Sequence, residues 1–447
     1  MSVPTLHRIL AEAGPHVLTA GKARRARYAL RRPLRGAAAD LTVYEIDVAG
    51  HVTQVGTLVT VYPSGSWLDL AAMGWPHPDD SRDGWWNGLP YPCHDMRPQG
   101  YMGRQFARAE HRRLGVPADP NAWSDDDVLV VLSRSGIDAS GSLILGDLAV
   151  EQWTAARLTS PAPRRARWPP PTWPSRTRPS PPALVQRCRR VPEVHGAARV
   201  RGSRTLHVIV KFSGADGSAA VTFAGPIFAQ EHLALEAAAT MPGIESARSR
   251  IIQAAGRTFL EVERFDRHDR FGRSRLSSLE TLNGALLGAM TTEWPALAER
   301  LAALSLLSAE DVERVRHLWW YGRLIANTDM HLGNLGFRPA GILRLAPTYD
   351  MVPMLYAPLA GGEVPPRHCS NCCFPARPTP GLADGVFGSD RVLVGRSRGF
   401  GASSEGFRCH VRGQRRASGT RPAGHLAQDP GDVTRGVDSP ERPRIPG

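Results

Sequence analysis

Lysine is almost missing from this chain. Lys22 and Lys211 are the two lysines among 55 basic residues, and the rest are arginines. Long apolar runs are missing too. None approaches the roughly 18 residues needed to cross a bilayer, so no membrane association is expected. The first twenty residues, MSVPTLHRILAEAGPHVLTA, have no basic stretch followed by a continuous apolar one, so no secretory signal is read there and a cytoplasmic location is the default expectation. The chain carries no GxxxxGK[ST] or HExxH run, which removes support for P-loop and zinc-protease chemistry. Its GxSxG match, GRSRG at 395–399, lies in a segment without the strand and helix periodicity that a nucleophile elbow of α/β-hydrolase chemistry needs. Of the six cysteines, five (Cys188, Cys369, Cys372, Cys373, Cys409) fall in two compositionally odd segments, and Cys93 alone lies elsewhere.

Those two segments also carry the charge. With 42% apolar and 22% charged residues over 447 positions, the chain is not a disordered polyelectrolyte and has the length of two or three packed domains. Its net +13 and basic pI would ordinarily point to nucleic acid or an anionic surface. However, residues 157–204 hold 12 Arg and 10 Pro against one acid, and residues 366–447 hold 13 Arg against 7 acids; the remaining chain is left at −4. Neither segment shows sustained helical or strand periodicity. Arg, Ala, Gly and Pro have GC-rich codons, so both segments are expected to be out-of-frame translation of a GC-rich gene. A Pro/Arg-rich disordered linker and tail is the competing reading. Translating the other two frames separates them: without patterned, core-forming sequence there, the frameshift reading fails.

Residues 1–36 read as helices. Thr5 to Ala13 is followed by a Gly14-Pro15 stop. A second, basic helix is expected over Ala23–Arg32, presenting Arg24, Arg25 and Arg27 as in a small helix-turn-helix meeting DNA; a solvated basic helix is the competing reading. Residues 37–156 switch to alternation (LTVYEIDV, HVTQVGTLVTVYP, SWLDLA), a small antiparallel sheet with turns at Ala49-Gly50 and Pro63–Gly65. A Trp/Pro-rich stretch follows, then a helix capped by Ser124. Over residues 205–270, the strand TLHVIVKFSG, the helix IFAQEHLALEAAATM and the strand RTFLEVERFDR form a small lobe. Within residues 271–365, residues 277–326 are expected to be almost wholly helical, followed by the loop TDMHLGN, a strand pair and TYDMVPMLYAP. The expected fold class is α+β.

The chemistry concentrates late in the chain. Asp329 and Asn334 are five residues apart on one loop, and Asp350 follows across a hairpin. Phosphoryl transfer from ATP needs such a set: one carboxylate to orient or deprotonate the acceptor hydroxyl, and an amide oxygen plus a second carboxylate to hold Mg²⁺ against the phosphates. Lys211, on a strand in a chain that otherwise uses arginine, is the candidate cation for the α/β-phosphates; a strand-end surface lysine is the alternative. Glu231 on the next helix is its natural partner, in preference to Glu236. Glu263, Arg264 and Phe265 end the second strand where backbone groups can meet adenine. His331 is expected to brace the catalytic loop, since no second ligand stands at zinc spacing. Cys369, Cys372 and Cys373 resemble half a zinc site without a matching pair.

IANTDMHLGNLGF with LRLAPTYD, HVIVKF, QEHLALEAA and VERFDR together resemble the HipA-type serine/threonine kinases, toxins of bacterial toxin–antitoxin pairs. VGTLVTVYPSGSWLDL, DMRPQGYMGRQFA and DDVLVVLSRSGIDASGSLILGD are similar to that family's N-terminal subdomain, and the extra N-terminal helices to its YjjJ subgroup. The resemblance covers roughly residues 40–156 and 205–365. It implies a bilobal kinase-like core, Asp329 and His331 at the catalytic position, Asn334 and Asp350 on Mg²⁺, Lys211 paired with Glu231 on ATP, and Glu263 to Phe265 as the adenine hinge. It also implies a protein substrate, an antitoxin partner and a DNA contact. The family's Gly-rich phosphate loop belongs inside 157–204, where nothing matches it, and its C-terminal helical bundle is unrecognisable after about Pro366. An inactive relic is therefore one expectation, and autophosphorylation lost on Asp329→Ala would refute it. Two other readings compete. One is a small-molecule or lipid phosphotransferase; the other is a DNA-binding regulator whose kinase-like part is a non-catalytic module.

Overall fold

A computed structural model describes residues 3–21, 23–35, 40–159, 193–197, 205, 207–214 and 219–357. Lys22, most of 157–204 with the expected phosphate loop, and the whole of 366–447 with its cysteines lie outside the described residues.

Helix α1 (Val3–Ala13) forms as expected and stops at Gly14, which takes φ +50. The expected second helix does not form. In its place a hairpin pairs β1 (Val17–Ala20) with β2 (Arg27–Leu30), in register from Val17↔Leu30 to Ala20↔Arg27, with Ala23–Arg25 as a single 3₁₀ turn between them. Non-local backbone bonds override the helix propensity of the arginines. Arg31 N donates to His16 O (2.8 Å), closing the open end of the hairpin, while Arg32 N donates to Thr60 O (2.8 Å) and Tyr62 N to Leu30 O (2.9 Å), stitching it to the neighbouring sheet. The described residues contain a helix and a hairpin where a helix-turn-helix was expected.

That sheet is antiparallel. It contains β3 (Asp40–Ile46), β4 (Val52–Thr60), β5 (Ser66–Trp67) and β6 (Trp85–Trp86), and later β7 (Leu143–Leu145), in the order β6-β5-β4-β3-β7. Helices α2 (Gly100–Leu114) and α3 (Asp125–Ser135) precede β7, and α4 (Asp147–Thr159) follows it. Ser124 caps α3 with a full capping box: its Oγ accepts from Asp127 N, and its own N–H donates to Asp127 Oδ2 at 2.8 Å. Val128 to Leu132 are buried against the sheet. Cys93 is fully buried, and burial pushes its thiol up to about 12.

The second half opens with β8 (Glu193–Ala197) and β9 (His207–Phe212), then α5 (Ala219–Ala238), β10 (Ser249–Ala254) and β11 (Arg257–Glu263). The sheet order is β10-β11-β9-β8, antiparallel throughout. The expectation of no regular structure over 157–204 is thereby corrected at both edges. Helix α4 runs to Thr159, and β8 exists because Val194 and Gly196 pair with Val210 and Val208 of β9, a non-local partnership that composition cannot reveal.

One short pairing, β12 (Arg267–His268) with β13 (Gly272–Arg273), leads to β14 (Ser277–Ser278) and α6 (Leu279–Leu282). A π-helical turn over Asn283–Leu287 ends at Gly288 (φ +58), so the expected long helix is interrupted before α7 (Trp294–Ala303) and α8 (Ala309–Leu324). The hairpin β15 (Gly336–Ala340) and β16 (Ile342–Leu345) completes a small β14-β15-β16 sheet. One apolar cluster joins both halves, from Leu58 and Val128 through Phe228 and Leu260 to Tyr321 and Phe337. Burial of each such side chain contributes about 1.5–3 kcal/mol. Among the described residues no helix is long and apolar enough to cross a membrane.

Candidate active site

The alternation of β9 creates the first half of the site. Val208, Val210 and Phe212 point into a small core with Phe259, which turns Lys211 to the other face, under α5. There the Lys211 ammonium meets Glu231 Oε1 at 2.8 Å and Oε2 at 3.0 Å, with the Glu231 side chain 2% exposed. Glu236, further along the same helix, faces His232 at 3.9 Å. The same ammonium also reaches Asp350 Oδ1 at 2.6 Å, tying the small sheet to the segment after β16. Asp350 holds φ +54, a left-handed backbone that a non-glycine residue adopts at a cost and that recurs at functional sites.

The loop after α8 supplies the second half. Buried Asn327 accepts the Asp329 N–H through Oδ1 (2.9 Å). The Asp329 carboxylate is half-buried and makes no hydrogen bond or ion pair among the described residues. His331 caps the 3₁₀ turn Leu332–Asn334, accepting from Gly333 N through Nδ1 at 3.0 Å. Asn334 Nδ2 donates to Asp329 O at 2.8 Å, which leaves Oδ1 as its open acceptor. The bracing expected of His331 is thus backbone bracing, and Asn334 fixes the very residue it was expected to work beside. Tyr349 adds a further tie, its hydroxyl donating to Gly333 O at 2.7 Å.

The segment Glu263–Phe265 is anchored on both sides. Glu263 N donates to Arg248 O (2.7 Å), Arg264 N to His207 O (3.0 Å), and Phe265 O accepts from Arg338 (3.1 Å). Glu263 Oε2 is buried without a hydrogen-bond partner. The Arg264 guanidinium turns away from Lys211 chemistry into a buried ionic cluster with Asp266, Asp138 and Arg267. Burial alone would raise the Asp266 pKa, but Arg264 and Arg267 outweigh it and hold the carboxyl well below the usual range. Arg24 and Arg25 sit in the 3₁₀ turn of the hairpin and Arg27 opens β2, all exposed.

No group of three or more His, Cys, Asp and Glu side chains among the described residues could hold a metal ion alone. Asn334 Oδ1 and the Asp350 carboxylate are hard oxygen donors, the kind that Mg²⁺ takes one or two of while phosphates and water complete its shell. Asn327, Tyr349 and the Asp266 cluster were missed by sequence reasoning. Asn327 stood two residues before Asp329 and was legible as a loop brace; the others depend on tertiary pairing.

The family model for the YjjJ-like toxin middle domain matches residues 37–154, and that for the HipA-like C-terminal domain matches residues 184–369. Toxin YjjJ of Escherichia coli (strain K12) is 30% identical over 386 residues, covering 81% of this chain and 80% of that protein. The chain belongs to the YjjJ-like toxin family. The HipA-like match begins upstream of β8, so that strand belongs to the family's domain. Among solved structures, Shewanella oneidensis MR-1 HipA, in a complex with HipB and operator DNA, aligns with TM-score 0.49 at 15% identity over 85% of this chain and 96% of that one. The Helicobacter pylori proinflammatory kinase CtkA aligns with TM-score 0.33 at 10% identity over 47% of this chain and 86% of that one.

Proposed function

We propose that this YjjJ-like toxin is an ATP-dependent serine/threonine protein kinase that works in a toxin–antitoxin pair and moves the γ-phosphoryl group to a protein hydroxyl. The observation that carries the reading is Lys211 bridging Glu231 and Asp350 while Asp329 stands on a braced loop with its carboxylate uncommitted. In this reading Asp329 orients the acceptor hydroxyl and takes its proton, a role worth about 10²- to 10⁴-fold. Lys211 presents its charge to the α/β-phosphates, held in place by Glu231. Glu263 Oε2 is an acceptor of the kind an exocyclic amine of adenine needs. Asn334 and Asp350 would hold Mg²⁺, whose chemistry there is to neutralise phosphate charge.

The test is transfer of label from γ-labelled ATP to protein, the chain itself included, with Mg²⁺ present. Label that is lost in Lys211→Ala and Asp329→Ala supports the kinase. Label equal to the Asp329→Ala background would sink it and leave a non-catalytic binding module.

A DNA contact is a second, separable reading. It is favoured by Arg24, Arg25 and Arg27 standing exposed around Tyr28, itself 42% exposed, on a hairpin beside α1. Binding of the full chain to duplex DNA across a salt series tests it.

A further inference from the structure

We infer that Asp95, a residue of the middle domain, is a positioning residue for the Asp329–Asn334 loop, an inference that rests on the kinase reading. Asp95 Oδ2 accepts from Ser278 N and its Oδ1 from Ser278 Oγ, both at 2.7 Å, across 183 residues of sequence. Ser278 is the joint of the device. It caps α6, accepting from Thr281 N at 3.2 Å, and it pairs in register with Gly336, two residues past Asn334. Leu279 N then donates to Leu335 O at 2.8 Å. Glu280, one residue further, abuts the loop directly: a Cβ at Gly333 would lie 3.1 Å from its Oε2.

The platform under Asp95 is rigid. Tyr91, Pro92 and Cys93 form a buried 3₁₀ turn, and Tyr91 donates to Pro76 O at 2.7 Å. Burial raises the Asp95 pKa above its ordinary value, and hydrogen bonds from Ser278 and Thr281 pull against that rise. A desolvated carboxylate is a costly way merely to fill space. Its return is a fixed position for β14 and α6, and through them for the amides of 329–336. Displacement of a reacting group by about 1 Å costs on the order of 10²-fold in rate, so the middle domain belongs to the catalytic apparatus.

The experiment uses the full chain with Asp95→Ala and Asp95→Asn, the latter keeping one acceptor of the same shape. Hydrogen exchange and γ-phosphoryl transfer are measured side by side. Expected for Asp95→Ala is about tenfold faster exchange confined to 329–336, with residues 207–212 unchanged. The transfer kcat falls about 10²-fold while the KM for ATP stays within about twofold. Asp95→Asn recovers most of both. Unchanged exchange at 329–336, or exchange raised evenly over the chain, overturns the inference. If Asp95→Ala does not fold, Ser278→Ala removes the Oγ bond to Asp95 together with the α6 cap and keeps the backbone bond from Ser278 N. A smaller rise in exchange confined to 329–336 then supports the inference, and an unchanged or evenly raised pattern overturns it. If the wild type transfers no phosphate, the kinase reading falls, and the exchange pattern alone decides the role of Asp95.

Discussion

The Lys211 ammonium lies closer to Asp350 Oδ1, at 2.6 Å, than to either oxygen of its buried partner Glu231, at 2.8 and 3.0 Å. One cation therefore serves two carboxylates from different parts of the chain. Removing it leaves Glu231 charged in a site where its side chain is 2% exposed. Lys211→Met is expected to abolish transfer and to cost about 3–5 kcal/mol of stability. The double variant Lys211→Met/Glu231→Gln should recover most of that stability and none of the transfer. Urea unfolding beside a label-transfer assay checks both.

Asp329 presents the opposite case. Its carboxylate has no partner among the described residues, so Asp329→Asn should change stability by no more than about 0.5 kcal/mol while lowering transfer by about 10²- to 10⁴-fold. A melting curve and a progress curve on the same preparation suffice. A large loss of melting temperature would count against the assigned role.

The buried ionic cluster sets an acid limit. The Asp266 carboxyl is held well below the usual carboxylate range because Arg264 and Arg267 outweigh its burial. A depressed folded pKa contributes stability that is fully present above the unfolded value and is lost as pH falls through the folded one. Urea midpoints should therefore drop steeply below about pH 4. Asp266→Asn should flatten that drop while lowering stability at neutral pH, since it strips Arg264 and Arg267, 5% and 2% exposed, of a shared counter-charge.

The hairpin predicts a salt slope. If Arg24, Arg25 and Arg27 each neutralise a phosphate, replacing all three by Ala lowers the dependence of log K on log salt by about 2.7. An unchanged slope would remove the hairpin from any DNA contact.

Much of the site was legible because its spacings are local. The five residues from Asp329 to Asn334, the alternation placing Lys211 opposite Val208 and Val210, and the Ser124 box are fixed by a few neighbours. The hairpin was not, because its bonds to Thr60 O and from Tyr62 N compete with a helix only once the sheet exists. β8 was hidden in a segment whose composition argues against structure and whose partner is β9. The Arg264 guanidinium pairs with Asp138, 126 positions away, which leaves the backbone expected to meet adenine untouched by that pairing. No periodicity encodes such a distance.

The ion pair at β9 also makes this protein a natural chemical reporter. With Lys22 the single other lysine, an amine-acylating reagent finds just two side-chain targets. One of them, 13% exposed, is clasped between Glu231 and Asp350. The rate at which the peptide containing Lys211 gains mass, set against that containing Lys22, would time the opening of the clasp in the unmutated protein, without a fluorophore or a substrate.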